Sequence, residues 1–186
     1  MVRLTKYLEV QNRAHILYFF QAHQCYLQNL EAYIEEGLKR KHHLIVIENP
    51  AIYNELEKKF ILNLPKEQQA YIHYINNLSY YNYYHSFDIH NIIEKFSGLL
   101  DPFLAQNIVM RTWAHVEWMN QDNIIEKLDE FEKLADCAVS DLGIMSVCAY
   151  DSYDITAALQ TKLMRSHEYL MTDLEIVKSP FYQKTS

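Results

Sequence analysis

Glycine is scarce in this chain, with three residues in 186. A loop that lets backbone N–H groups converge on a phosphate needs glycines, and an ATPase phosphate loop adds a lysine. After the first apolar run the chain offers Gln21-Ala22-His23-Gln24-Cys25, with neither. No G-x-G-x-x-G stretch and no G-x-S-x-G elbow occurs. Ordinary phosphate-loop ATPase activity, a dinucleotide site and an elbow serine are therefore set aside. Cysteine is equally sparse: Cys25, Cys137 and Cys148 are odd in number and widely spaced. That pattern suggests neither a disulfide framework nor a zinc ribbon, and reduced, mostly buried thiols are expected. No apolar run approaches the roughly 20 residues that span a bilayer. The opening Met-Val-Arg-Leu-Thr-Lys-Tyr-Leu-Glu-Val has no apolar core and no small-residue cleavage site, so no signal peptide is read and a cytoplasmic location is expected. Positive charge is in deficit, 17 Lys and Arg against 24 Asp and Glu, which argues against direct nucleic-acid binding over the surface. The basic run from Lys39 to His43 falls between a helix and a strand and reads as a solvated loop.

What the chain has in quantity is tyrosine, 15 residues beside eight phenylalanines. An apolar ring with a polar tip suits pockets and interfaces. Apolar runs at His15–Phe20, His43–Glu48 and Ile144–Tyr150 read as strands buried on both faces. Tyr71–Ile75 alternates weakly, Ile108–Met119 alternates clearly, and Tyr169–Val177 reads as a last strand. Helical spacing covers Ala22–Arg40, Ala51–Leu62 after Pro50, Asn91–Leu100 capped by Asp88, and Gln121–Ala138. Pro102 is expected to interrupt the third of these. A further helix after Asp151, capped by Asp154 or Ser152, would bury Ile155, Ala158, Leu159 and Leu163 and close at His167. Leu78–His85 is a tyrosine-rich connection that serves either as an interface, for instance of a homodimer, or as a cover over the sheet. The alternation predicts a single α/β domain over 1–186, with a mostly parallel central sheet between helical layers.

Period-two alternation puts Arg111, Trp113, His115 and Glu117 on one face of their strand, and Met110, Ala114, Val116 and Trp118 on the other. Buried charges there need partners, supplied by an internal network or by a ligand. Tyr150 and Asp151 end a buried strand where open α/β sheets place their ligand crevice. The pair His115 and Glu117 is too few donors for a metal centre, and no metal or cofactor is expected. Cys148, inside an apolar run with His167 one helix away, reads as a buried apolar residue more than as a nucleophile.

In order along the chain, His15-Ile-Leu-Tyr-Phe-Phe20, Tyr33-Ile-Glu-Glu-Gly-Leu38, Tyr84-His-Ser-Phe-Asp88, Arg111-Thr-Trp-Ala-His-Val-Glu-Trp118, Phe131-Glu132, Cys148-Ala-Tyr-Asp151, His167 and Ser179-Pro-Phe-Tyr182 resemble the MEDS domain. This is the sensory domain named from methanogens, methylotrophs and the dichloromethane regulator. The resemblance implies a RecA/KaiC-like three-layer fold without a working phosphate loop. It also implies a non-enzymatic sensory or regulatory role in signal transduction, in which a small ligand, a signalling partner such as a kinase or transcription regulator, or both are bound. Ala114-His115 and Glu168 depart from the family pattern, so the ligand is not carried over. No output domain accompanies the stretch, so a signal is expected to pass through a partner. The ligand-binding set expected on these grounds is Tyr18, Arg111, Trp113, His115, Glu117, Tyr150, Asp151 and His167, with Glu117, Asp151 and His115 facing the vacated phosphate position. Rival readings are an interaction protein that inhibits a sensor kinase, and an enzyme, either a residual nucleotide hydrolase or a hydrolase using Asp151 and His167.

Overall fold

Five strands run parallel in the computed structural model, which describes residues 13–81, 87–118 and 123–183. They are β1 (Ala14–Phe20), β2 (His43–Glu48), β3 (Ile72–Asn76), β4 (Met110–His115) and β5 (Met145–Asp151). Two short strands, β6 (Tyr169–Met171) and β7 (Ile176–Lys178), complete a seven-stranded sheet of order β3-β2-β4-β5-β1-β6-β7, in which β6 and β7 pair antiparallel. The connecting helices are α1 (His23–Lys39), α2 (Pro50–Lys59), the short α3 (Lys66–Gln69) and α4 (Asn77–Tyr80), then α5 (Ile89–Leu104), α6 (Ile124–Leu142) and α7 (Ala157–Ser166).

Strand periodicity divides the core into two layers. Ile16, Tyr18 and Phe20 of β1 pack with Val46, Trp113 and Val147 against Tyr26, Leu30, Tyr33 and Ile34 of α1. The alternate residues, Leu17, Ile45, Ala114, Cys148 and Tyr150, pack against Ile92 of α5, Leu128 and Phe131 of α6, and Leu159 and Leu163 of α7. Covering both faces explains why the strands read as continuous apolar runs. The expected α/β fold, a mostly parallel sheet flanked by helices, is the one observed.

Several local expectations are corrected. The β4 ladder ends at His115, not Met119, which lies outside the described residues as do Tyr84, His85 and Gln121. Val116 still donates to the Ala149 carbonyl (2.9 Å), but Glu117 turns away to side-chain partners. Helix α5 runs through Pro102 to Leu104. The missing N–H of Pro102 leaves the Gly98 carbonyl without its helical donor, and Gly98 is exposed, where water can serve it. The final run is a hairpin, closed where Thr172 N–H donates to the Glu175 carbonyl (2.8 Å). The α7 cap is Thr156, whose hydroxyl accepts from Leu159 N–H (3.3 Å); neither Ser152 nor Asp154 takes that place, and Ala158 is exposed. Asp88 caps α5 as expected, accepting from Asn91 N–H (3.1 Å). Tyr80 and Tyr81 are buried within this chain, the Tyr80 hydroxyl donating to the Ile92 carbonyl (3.2 Å), so these two cover the sheet. Among the described residues no helix is long and apolar enough to cross a membrane.

Helix α6 hands over to β5 through Gly143, whose φ of 63° is left-handed. A Cβ there would meet nothing within 4 Å, so substitution tests backbone strain alone. Gly143→Ala is expected to lower unfolding free energy by about 1 kcal/mol, seen as a lower urea midpoint at unchanged slope.

Candidate functional site at the carboxyl edge of the sheet

Parallel strands bring Phe20, Glu48, Asn76, His115 and Asp151 to one edge of the sheet. The centre of that edge is Glu48, the last residue of β2, whose carboxylate has no solvent exposure. It is held by donors from three directions. Tyr26 of α1 donates its hydroxyl to Oε2, His115 donates Nδ1–H to Oε1 (2.6 Å), and the following Asn49 donates its backbone N–H (2.7 Å). The Tyr26 oxygen in turn accepts from Trp113 Nε1–H (2.8 Å). Phe20 and Tyr26 crowd the His115 ring, at 5.2 and 5.5 Å between centroids. Glu117, just beyond β4, accepts from the side-chain amides of Asn49 (2.9 Å) and Asn77 (2.7 Å), and the Asn77 amide also donates to the His115 carbonyl (3.0 Å).

Of the eight residues expected to bind ligand, His115, Glu117 and Asp151 do come together, but around a gap of only ≈40 Å³. That holds a water and no metabolite. Asp151 closes a turn by accepting from Tyr153 N–H (2.9 Å). Trp113 is a buried support for Tyr26. Arg111 is at the opposite end of β4: its Nε donates to His42 Nδ1 (3.0 Å), its guanidinium lies 5.6 Å from the Tyr33 ring centroid, and it reaches neither carboxylate. Tyr150 and His167 belong to the other face, where the Tyr150 hydroxyl donates to Glu132 and His167 Nε2 lies 3.4 Å from Glu132 Oε2. His167 stacks on His15, and His15 is level with Ser146, five residues along β5 from Asp151. That is about 17 Å at strand rise, so His167 and Asp151 do not meet.

Tyr18 leads to a feature the sequence reading missed. Its hydroxyl donates to Asp173 Oδ1 (2.8 Å) and accepts from the Asn29 amide (2.9 Å). The other oxygen of Asp173, in the β6–β7 turn, accepts from the backbone N–H groups of Gln21 (3.2 Å) and Ala22 (2.9 Å). These are the amides at the mouth of α1, where a phosphate loop would hold its anion. A side-chain carboxylate of this chain takes that role. Beside it opens a cavity of ≈510 Å³ lined by Phe19, Cys25, Gln160, Thr172 and Leu174, among others. Glu48 carried the same signal as Asp151, an acid closing an apolar strand. Asp173 carried none, because its stretch read as continuous strand.

Burial pushes the His115 imidazolium down, but Glu48, with Glu117 and Asp151 behind it, outweighs burial and the pKa is raised above 6.5. Folding thus favours protonated His115. Its stabilisation is complete below the unfolded value of about 6.5 and is lost as pH rises through the folded value. His115→Gln is expected to cost about 3 kcal/mol at pH 6, with the gap to the parent narrowing steadily toward pH 9. Melting temperatures of both proteins across that range check it; a gap that is constant or widens refutes the ion pair.

The family model of the MEDS domain, described as the methanogen/methylotroph, DcmR sensory domain, matches residues 14–168. No curated protein matches the chain. Among solved structures it is similar to one described as an ATPase domain, with a TM-score of 0.58 and 8% identity over 95% of this chain and 73% of that one. At that identity the likeness is one of fold. The family match runs from the first strand to Glu168, two residues past the end of α7, taking in the Glu48 network but not Asp173, and the chain belongs to the MEDS family of sensory domains.

Proposed function

We propose that this domain works as a non-enzymatic sensor, taking up a small neutral or cationic molecule in the cavity beside Asp173 and passing the signal to a protein partner, a kinase or a transcription regulator. The observation that carries the reading is the Asp173 carboxylate on the amides of Gln21 and Ala22, next to ≈510 Å³ of space at the carboxyl edge. That volume falls within the range of small-molecule sites, and its mixed lining of Phe19, Leu174, Gln160 and Thr172 suits a mainly apolar ligand with a few polar atoms. A carboxylate in the anion position repels phosphate and favours a neutral or positive guest. Membership of a sensory family supports a binding role over turnover. The hydrolase reading through Asp151 and His167 loses support from their separation on different faces.

Thermal melting of the purified domain against a panel of small amines, alcohols and halocarbons should give shifts of several degrees for a subset, and none for ATP, ADP or pyrophosphate. Asp173→Asn should weaken cationic members about tenfold, from loss of a charge-assisted contact. Incubation with ATP and magnesium supplies the opposing test. Turnover that survives further purification and vanishes in Asp151→Ala would make the domain an enzyme. Partner capture that no panel member alters would leave a pure interaction protein in its place.

A further inference from the structure

On the face of the sheet covered by α6 and α7, four side chains from four elements bring donor atoms to one point. His15 comes from β1, Glu132 from α6, Cys148 from β5, and His167 from the end of α7. His15 Nε2 lies 3.4 Å from Cys148 Sγ and 3.7 Å from Glu132 Oε2. His167 Nε2 lies 3.4 Å from the same Oε2. All four donor atoms are within 4.8 Å of one another, and all four residues are buried.

We propose that this cluster is a closed binding site for one divalent transition cation of the zinc class, held by His15 Nε2, His167 Nε2, Cys148 Sγ and Glu132 Oε2. The hydrogen bonds behind the donors settle where the lone pairs point. His15 Nδ1 faces the Ser166 carbonyl (3.0 Å) and Asp136 Oδ1 (3.2 Å), and a carbonyl only accepts, so Nδ1 carries the proton. His167 Nδ1–H donates to the Leu163 carbonyl (2.7 Å) for the same reason. In the neutral rings both Nε2 lone pairs therefore face the Glu132 carboxylate, whose other oxygen accepts from Tyr150. Glu132 Oε2 and His167 Nε2, both fully buried, meet at 3.4 Å without a well-formed hydrogen bond. Lone pairs and a carboxylate turned on one another in a dry core are costly, and a cation among them removes the cost.

The outer contacts match what metal sites need: each imidazole is oriented through its far nitrogen by a carbonyl or carboxylate, and the ligating carboxylate is itself hydrogen-bonded. Tetrahedral coordination, with metal–nitrogen distances of about 2.0 Å and metal–sulfur of about 2.3 Å, spaces donors by about 3.3–3.6 Å, close to the three separations above. The remaining pairs, all within 4.8 Å, would draw in on binding. The imidazoles stack at 3.9 Å between centroids, so binding must splay them to point both lone pairs at one ion. Coordination exchanges the Cys148 S–H proton for the metal, the proton leaving to solvent. A cavity of ≈230 Å³ borders His15 and Asp136 at the outer side of the cluster. Four protein ligands leave no open position, so the ion acts as a clamp joining β1, β5, α6 and α7. This site stands independently of the cavity beside Asp173.

The test uses Co²⁺ as a spectroscopic stand-in for Zn²⁺, added anaerobically to chelator-stripped protein. Cys25→Ser combined with Cys137→Ser leaves Cys148 as the one thiol. One equivalent of Co²⁺ should give this variant a thiolate-to-cobalt charge-transfer band and the intense visible bands of a tetrahedral ion, both abolished by one equivalent of Zn²⁺. Zn²⁺ should raise its melting temperature by several degrees, and Asp136→Asn should weaken Zn²⁺ binding at least tenfold. Cys148→Ser should lose the charge-transfer band. Weak octahedral spectra without that band in the Cys148-only protein overturn the proposal, even where Cys148→Ser fails to fold. An equal thermal shift in a folded Cys148→Ser protein, which would place the ion elsewhere, overturns it as well.

Discussion

A carboxylate at the end of an interior strand, closed off from water, constrains everything around it. A carboxylate in the core needs donors, and the cost of leaving it bare is several kcal/mol. The donors to Glu48 come from α1, from β4 and from the first residue after its own strand. Each is held in turn: Tyr26 by Trp113, and His115 by aromatic rings and by its ion pair. The helix–sheet packing on that face is thus built to deliver polar groups to one atom pair, and the aromatic richness of the chain supplies rings that pack while their hydroxyls bond. The arrangement is self-contained, which is why the gap beside Glu117 and Asp151 is small.

The β6–β7 turn supplies a second constraint. The mouth of α1 exposes amides after β1, and such a site draws negative charge. Without glycines the loop cannot wrap a phosphate, and Asp173 satisfies the amides from inside the chain. The fold is similar to that of an ATPase domain, and in this chain the amides at the mouth of α1 are met by a side chain. Architecture and chemistry separate at this point.

The opposite face carries its own polar system, in which two histidines, a glutamate and a cysteine share one point under α6. Period-two strands make the division clean. Ser146, Cys148 and Tyr150 look toward α6, while Met145, Val147 and Ala149 look toward α1. One buried cluster ends up serving the carboxyl edge, and the other ties helices to strands.

The sequence by itself determined the alternation of strand and helix, the covering of both sheet faces, the common face of Arg111, Trp113 and His115, and the lack of a phosphate loop. Those follow from periodicity and composition, which are local. It also pointed to the carboxyl edge, since Asp151 closes an apolar run. Tertiary structure decided which polar groups meet. Glu48 and His115 are 67 residues apart, and His15 and Cys148 are 133 apart, so no spacing joins them. Arg111 opens β4 and Glu117 lies beyond its end, so residues that alternate in sequence sit at opposite edges of the sheet. Asp173 became legible only once the last run folded back as a hairpin beside β1, because chain reversal and strand order set that contact, and neither is written in any one segment.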